Sequence, residues 1–261
     1  MVGNLLLRGM LVGLVAGLLC FGFLKLYGEP QIERAIAFEA QMDETKAVAD
    51  KAKGMDMHQG MSHAVEIPKG AQPELVSRAV QSGVGLFTGV IVYSTAFGGL
   101  FALAFAFACG RTSVLSPRAI SALLAATGFV AIYLMPILKY PANPPAVGDS
   151  ETIGVRTALY FIMIAISIAA MIGSVTLKRH LLHRHGGWNA TLIAAAAYLA
   201  LIAVAGLLLP VINEVPEQFP ASVLWDFRIV SIGAQIILWA TIGLLFGLIS
   251  QRAANVSSRR N

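Results

Sequence analysis

Charged side chains are scarce in this chain of 261 residues. Asp, Glu, Lys and Arg together make up 13% of the sequence, whereas hydrophobic residues make up 57% and the mean hydropathy is +0.72. An ordinary soluble domain carries about 25% charged residues, so these few charges could not cover a water-soluble globule of this size. The composition therefore predicts an integral membrane protein in a lipid bilayer. The net charge of +5 does not indicate a nucleic-acid partner, because the excess cations lie in short segments between apolar runs.

Cysteines and catalytic motifs are also rare or missing. The two cysteines, Cys20 and Cys109, both lie in apolar runs, which argues against a disulfide framework. The sequence has no phosphate-binding loop of the type Gly-x-x-x-x-Gly-Lys-Ser/Thr, no His-Glu-x-x-His and no nucleophile elbow. No pair of acids lies in the middle of an apolar run, so the proton relay of many secondary transporters is not visible. We therefore expect no ATPase or other enzyme, and no resident cofactor.

Six apolar runs are each long enough to cross about 30 Å of hydrocarbon as a helix. They are Leu5–Leu26, Val84–Ala108, Ala119–Leu138, Thr157–Leu177, Ala190–Leu209 and Ile229–Ile249. Backbone groups find no water to bond in lipid, so helix is the expected state of each run. The sequence thus predicts an all-α bundle of about six transmembrane helices, forming one membrane domain over residues 1–261.

Acidic residues fall on only one side of the membrane in this arrangement. All 14 Asp and Glu lie in the three connections on that side, whereas the side that holds both termini carries cations and no acid. Those cations are Arg8, Arg111, Arg118, Lys178, Arg179, Arg184, Arg252, Arg259 and Arg260. Because cytoplasmic segments are enriched in Lys and Arg, we expect both termini in the cytoplasm and the acidic connections outside.

The first outer connection, residues 28–83, is the long one. Residues 30–53 within it are rich in Ala, Glu and Lys, with apolar residues at helical spacing, which predicts an outer helix. The sequence Gly28-Glu29-Pro30 is expected to separate this helix from the first span.

Methionine and histidine are concentrated directly after that helix, in residues 55–63. The candidate metal ligands there are Met55, Met57, His58, Met61 and His63. Thioethers and imidazoles bind metals, and thioethers favour soft ions such as Cu(I). The segment is therefore a candidate for weak capture of a cation, and a methionine-rich linker with no ligand role is the alternative.

The two short outer loops each combine spaced prolines, acids and an arginine that begins the next span. Prolines remove backbone donors and leave carbonyls free, so these loops are candidates for an ion-attracting mouth. The mouth residues are Lys139, Tyr140, Asn143, Asp149, Glu151, Arg156, Glu214, Glu217 and Asp226. Arg156 and Arg228 are expected to pair with Asp226, Glu151 or Asp149, and stiff turns without a ligand role are the alternative.

Polar residues also recur along one face of the last span. Arg228, Ser231, Gln235 and Trp239 are spaced by three and four residues and so share a helix face. Such a face lines a polar path or forms a hydrogen-bonded seam between helices, and the sequence leaves both open.

Three histidines lie close together on the opposite, cytoplasmic side. They are His180, His183 and His185. Their spacing makes them candidates for a metal exit site, but the neighbouring Lys and Arg would repel a metal ion and anchoring of the loop explains the charge equally well.

Several stretches resemble the CbtA family of predicted cobalt transporter subunits. They are Glu29-Pro30-Gln31-Ile32, the sequence Leu-Lys-Tyr-Pro-Ala-Asn-Pro-Pro-Ala-Val-Gly at 138–148, the sequence Glu-Thr-Ile-Gly-Val-Arg-Thr at 151–157, and Trp225-Asp226-Phe227-Arg228. The resemblance implies a bacterial inner-membrane protein that takes up cobalt for cobalamin synthesis, together with a small single-span companion subunit, CbtB. Family members often carry a His-rich first outer loop, whereas this chain has only His58 and His63 there and gains methionines. Copper or nickel transport and a non-transporting accessory role therefore remain alternatives, and a homo-oligomer stays open.

Overall fold

The computed structural model describes residues 2–55, 76–111, 115–145, 147–148 and 152–258, and every regular element in these ranges is helical. The α-helices are α1 (Val2–Phe23), α2 (Glu29–Met55), α3 (Arg78–Val80), α4 (Leu86–Cys109), α5 (Pro117–Gly128), α6 (Met135–Lys139), α7 (Ile153–Leu208) and α8 (Ala221–Ser258). Three π-helical segments, Leu24–Gly28, Gln81–Gly85 and Phe129–Leu134, join α1 to α2, α3 to α4 and α5 to α6.

Five helical stretches in the described part of the chain are long and apolar enough to cross a membrane. They are Gly3–Ala49, Arg78–Cys109, Pro117–Lys139, Ile153–Leu208 and Ala221–Val256. Many large apolar side chains on them are exposed, as expected for surfaces that face lipid. The chain is a multi-pass membrane protein, and the predicted all-α fold is confirmed.

The longest of these stretches, α7, contains two of the six predicted spans. Gly186 interrupts it with a φ of +71°, a conformation that glycine adopts without steric strain. The hydroxyls of Ser167 and Tyr198, which lie on either side of Gly186, are 2.8 Å apart and buried. The two halves of α7 therefore pack side by side, which explains why five helical stretches accommodate about six membrane crossings.

Glycines bring α1 and α4 into close contact. A Cβ atom added at Gly13 would lie 2.2 Å from the carbonyl oxygen of Ser94, and one added at Gly98 would lie 2.2 Å from the carbonyl oxygen of Gly9. Helices in membranes associate through small residues spaced by four, because their backbones can then approach each other. Gly9, Gly13 and Gly17 on α1 form such a series, which fits against Ser94 and Gly98 on α4.

The helices α5 and α8 complete the main core. The Ser121 hydroxyl donates a 2.7 Å hydrogen bond to the carbonyl oxygen of Gly243. Trp239 on α8 packs edge-on against Phe97, with ring centroids 4.8 Å apart, and its ring lies against Gly128. Phe246 is fully buried between the same helices. The helices α1, α4, α5 and α8 thus share one tightly packed apolar core.

The helical path does not break at Gly28–Pro30, in contrast to the sequence expectation. Pro30 cannot donate a backbone hydrogen bond. The π-helical segment Leu24–Gly28 ends two residues before Pro30, and the chain continues from it into α2 without a break. The helical path runs over Gly3–Ala49, 47 residues, or about 70 Å at 1.5 Å per residue. This greatly exceeds the hydrocarbon thickness of about 30 Å, so α2 extends well beyond the membrane.

Contacts with the other outer elements hold α2 in place. Ala35 and Phe38 pack against Phe219 and Val223, which lie at the start of α8. The buried carboxylate of Glu29, at the start of α2, forms an ion pair with Arg78 of α3. These contacts gather α2, α3 and the loops before α7 and α8 at one end of the bundle.

Candidate functional site

A cavity of about 680 Å³ lies at the end of the bundle where these outer elements meet, and we call it the outer vestibule. Its polar and charged lining residues are Glu39, Tyr133, Tyr140, Asn143, Arg156, Thr157, Tyr160, Asn213 and Arg228. The remaining wall is the proline-rich loop after α6 together with apolar side chains of α6, α7 and the loop before α8. The size is typical of a pocket for a small ligand.

The proline-rich loop, residues 140–148, forms one wall of the outer vestibule and is anchored at its start. The Tyr140 hydroxyl donates a 2.9 Å hydrogen bond to the carbonyl oxygen of Pro210, which joins this loop to the loop before α8. Partial burial raises the pKa of Tyr140 above its usual value, so the phenol stays protonated and keeps this bond at neutral pH. Pro144 is fully buried, so the loop is a packed wall of the cavity.

Arg156, on the first turn of α7, is neutralised within the protein. Its Nε lies 3.2 Å from a carboxylate oxygen of Glu214, and the Thr152 hydroxyl donates to the same carboxylate. The two charged side chains are only 26% and 13% exposed, so water screens their attraction weakly. Glu214 comes from the following outer loop and was not among the acids expected from the sequence, of which Asp149 and Glu151 lie outside the described residues.

Gly148 provides the space that the Arg156 guanidinium occupies. A Cβ atom at this position would lie 2.5 Å from one guanidinium nitrogen of Arg156. The backbone of Gly148 also has a φ of +124°, which side-chain-bearing residues rarely adopt. Only glycine satisfies both requirements at this position.

Arg228, on α8, bonds to neutral acceptors on the facing loop. Its Nε donates to the carbonyl oxygen of Ala142 at 3.2 Å, and its Nη2 donates to the side-chain oxygen of Asn143 at 3.0 Å. Among the described residues these are its hydrogen-bond partners, and neither carries a charge. The positive charge of Arg228 is therefore not neutralised by a described acid. Of the acids expected from the sequence, Asp226 faces Arg34 instead, and Asp149 and Glu151 lie outside the described residues.

Tyrosines continue the polar surface from the outer vestibule into the membrane. Tyr133 and Tyr160 line the cavity, and the buried Tyr133 hydroxyl has no hydrogen-bond partner in the described part of the chain. Tyr93 of α4 lies near both phenols and near Gln235 of α8. Below Gln235, Trp239 packs into the core.

Comparison with known proteins identifies the chain. The family model described as "Probable cobalt transporter subunit (CbtA)" matches residues 2–251, which is nearly the whole sequence. The chain belongs to the CbtA family. The resemblance found in the sequence is thereby confirmed, and the family supports a transporter role and argues against an enzyme. Neither a curated protein nor a solved structure matched the chain.

The sequence-predicted mouth residues of this CbtA-family protein occupy different places. Tyr140, Asn143 and Arg156 line the outer vestibule, and Arg228 from the predicted α8 face joins them. Glu214 is not a lining residue of this cavity and forms the ion pair with Arg156.

The other mouth residues lie around the cavity or outside the description. Lys139 ends α6, with its Nζ 5.9 Å from the centre of the Tyr140 ring. Asp226 faces Arg34 of α2 at 3.8 Å, and Glu217 is exposed. Asp149 and Glu151 lie outside the residues that the structure describes.

The predicted polar face of α8 is turned towards other helices of the CbtA-family protein. Ser231 donates to the carbonyl oxygen of Phe227 in its own helix, and Gln235 lies near Tyr93 of α4. Trp239 is buried against Phe97. This face thus connects the outer vestibule with the interior of the bundle.

Neither predicted histidine-bearing segment contributes a described residue to the vestibule lining. Met55 is the last residue of α2, whereas Met57, His58, Met61 and His63 lie outside the described residues. On α7, the three histidines next to Gly186 are exposed; they are His180, His183 and His185. Within the described ranges, no three His, Cys, Asp or Glu side chains lie close enough together to hold a metal ion.

Sequence reasoning missed part of the vestibule of this CbtA-family protein. Tyr133 and Tyr160 look like ordinary aromatic residues of apolar spans, and only the fold shows that both reach one cavity. Asn213 and Glu39 come from separate segments, so their shared location depends on tertiary packing. The signal that was available is Gly148, which follows a proline-rich stretch and marks a tight backbone position.

Proposed function

We propose that this CbtA-family protein is the membrane-embedded subunit of an importer that moves Co²⁺ into a bacterial cell for cobalamin synthesis. The observation that carries the proposal is the match over residues 2–251 to a family of probable cobalt transporter subunits. The outer vestibule is the site at which the cargo first meets the membrane-spanning bundle. The ion is cargo in this proposal, and no resident metal is invoked.

The distribution of charge supports an outward-facing vestibule in the inner membrane. Glu29, Glu39, Glu214 and Asp226 all belong to the elements gathered around this end of the bundle. The segments assigned to the opposite end carry cations and no acid. By the positive-inside rule, that opposite end and both termini face the cytoplasm. A membrane potential, negative inside, then favours inward movement by about 2.3 kcal/mol per charge per 100 mV, or about twice that for a divalent ion.

The face of α8 is the proposed route from the outer vestibule inward. Arg228 lies at the cavity, and Gln235 lies near Tyr93 about two turns further along α8. Trp239, packed edge-on against Phe97 at 4.8 Å between ring centroids, closes this face below Gln235. Conduction therefore requires the Trp239 ring to move away from Gly128 and Phe97.

Two further parts of the proposal concern residues and chains beyond the described bundle. Residues 55–63 gather the ion outside the membrane through their thioethers and imidazoles. A small single-span subunit of the CbtB type completes the transporter. The family description supports the second part to the extent that it names a subunit.

Uptake of radioactive cobalt tests the proposed function. The gene is deleted in cells that lack other cobalt importers, and the wild-type chain or a variant is returned with its companion gene. We expect Gln235→Leu to lower uptake at unchanged protein level, because it removes the polar group below the vestibule. Gln251→Leu is the matched control, since Gln251 lies on the same helix 16 residues nearer the C-terminus and bonds to Asn255. Uptake that does not depend on the gene would contradict the proposal.

The identity of the ion is tested in the same cells. An excess of unlabelled Co²⁺ is expected to suppress the uptake of labelled cobalt more strongly than equal amounts of Ni²⁺ or Cu⁺. Stronger suppression by either competitor would assign the transporter to that metal instead.

An accessory role is the second candidate function. The packing of Trp239 against Phe97 favours it, because this contact seals the proposed route below Gln235. The same description of the family as a subunit also fits a chain that supports a partner's path. In this case Gln235→Leu alters assembly with the partner and leaves metal flux per assembled complex unchanged, which purification of the complex and uptake measurements together would detect.

A further inference from the structure

The described charges at the outer vestibule do not suit a bare metal ion. The carboxylate of Glu214 is occupied by Arg156 and Thr152, and Asp226 faces Arg34. Glu39 is the acid among the described lining residues, and it is exposed. Arg228, by contrast, presents a charge whose described partners are neutral.

Arg228 presents unused hydrogen-bond donors at the described cavity wall. A guanidinium carries five N–H donors, and Arg228 uses one at Nε and one at Nη2 in its described contacts. A charged fork of donors is suited to an oxyanion, and a planar carboxylate matches the guanidinium geometry.

We propose that the outer vestibule binds a carboxylate through Arg228, and that the metal reaches the protein as a complex with a small carboxylate ligand. The arrival of the metal as a complex rests on the proposed function, whereas the carboxylate site does not. A complex of this kind brings an anionic oxygen for Arg228 together with the cation. The volume of about 680 Å³ accommodates a small ligand rather than a single ion.

Direct binding to the purified full-length protein in lipid nanodiscs tests the inference. Isothermal titration calorimetry is performed with sodium citrate, with cobalt chloride, and with cobalt chloride in excess citrate. We expect binding in both citrate titrations. The variant Arg228→Gln is expected to weaken that binding by about tenfold to a hundredfold, the usual loss for a hydrogen-bonded charge. Binding of cobalt chloride alone, with none of citrate in either form, would overturn the inference.

Control variants separate ligand binding from folding. Arg34→Gln removes the same charge from the same outer surface, where Arg34 is largely exposed and away from the vestibule lining, so citrate binding is expected to stay unchanged. Arg228→Lys retains the charge and is expected to recover part of the affinity. Tyr133→Phe removes a hydroxyl that is buried out of reach of the cavity and makes no hydrogen bond within the described chain, so citrate binding is expected to stay unchanged. Equal losses for Arg34→Gln and Arg228→Gln would contradict the assignment to Arg228.

Uptake measurements distinguish this inference from the proposed function. Normal gene-dependent uptake of citrate-free cobalt by Arg228→Gln would leave the proposed function intact and overturn the second half of the inference, the arrival of the metal as a carboxylate complex. Arg228-dependent citrate binding in a protein that supports no metal uptake would do the reverse: the carboxylate site would stand and the proposed transport would fall.

Discussion

Replacing Gly98 by alanine is expected to force α1 and α4 apart. The added Cβ atom would lie 2.2 Å from the carbonyl oxygen of Gly9 and 2.8 Å from Cα of Gly13. Both distances are well below van der Waals contact, and the obstructing atoms are backbone, which cannot rotate away as a side chain can. Overpacking of a well-packed interface typically costs about 1–3 kcal/mol. For a chain of this length, that corresponds to a melting temperature lower by about 2–12 °C.

The same helix supplies the control for this prediction. Gly89→Ala makes the same chemical change on α4, where no other atom lies within 4 Å of the added Cβ. Because alanine favours helix over glycine, this variant is expected to be as stable as the wild type or slightly more stable. Thermal unfolding of both variants, purified in the same detergent and followed by loss of the monodisperse peak in size-exclusion chromatography, measures the difference. Equal melting temperatures would refute the close α1–α4 contact.

Three further predictions concern the vestibule and the proposed route. Gly148→Ala is expected to lower the melting temperature and cobalt uptake, because the added Cβ would displace the Arg156 guanidinium and the backbone φ of +124° disfavours alanine. Gly154→Ala is the control, since the space around its added Cβ is open. Glu214→Gln is expected to destabilise the protein by about 1–3 kcal/mol, since it leaves the partly buried Arg156 without its carboxylate. Asp226→Asn is the control, because it breaks an exposed pair and is expected to change the free energy of unfolding by less than about 1 kcal/mol. Equal effects of the two variants in denaturation experiments would contradict the difference in burial. Trp239→Ala is expected to lower stability by about 3–5 kcal/mol through loss of core packing. The same variant is expected to raise cobalt flux per folded molecule in proteoliposomes. An unchanged flux would argue against Trp239 as the residue that closes the route.

The membrane-spanning helices were predictable because run length and apolarity decide them. Lipid leaves a long apolar segment no other backbone state, so the six runs appear in the structure, with the fourth and fifth joined in α7 on either side of Gly186. The continuity of α1 and α2 was not predictable in the same way. Gly28 and Pro30 are local signals for a helix end, but the packing of Ala35 against the start of α8 and the pairing of Glu29 with Arg78 hold the chain in a helical path.

The candidate site was predictable in composition and not in pairing. The proline-rich loop and the arginine that begins each following span indicated an outer mouth, and Tyr140, Asn143, Arg156 and Arg228 do line one cavity. The pairing of Arg156 with Glu214 depends on how close the two outer loops come, and distance along the sequence carries no signal of that contact. The contribution of Tyr133 was hidden because a tyrosine in an apolar run carries no signal of the cavity that it reaches.

The helical path is unbroken through Leu24–Gly28, so α1 and α2 form one continuous helix. The glycines of α1 allow close packing against α4, and α2 contacts Phe219 and Val223 beside the outer vestibule. Because no loop separates α1 from α2, a displacement of the part of α2 that projects from the membrane is transmitted to the α1–α4 contact. A molecule that binds this part of α2 would therefore act on the interior of the bundle without entering it.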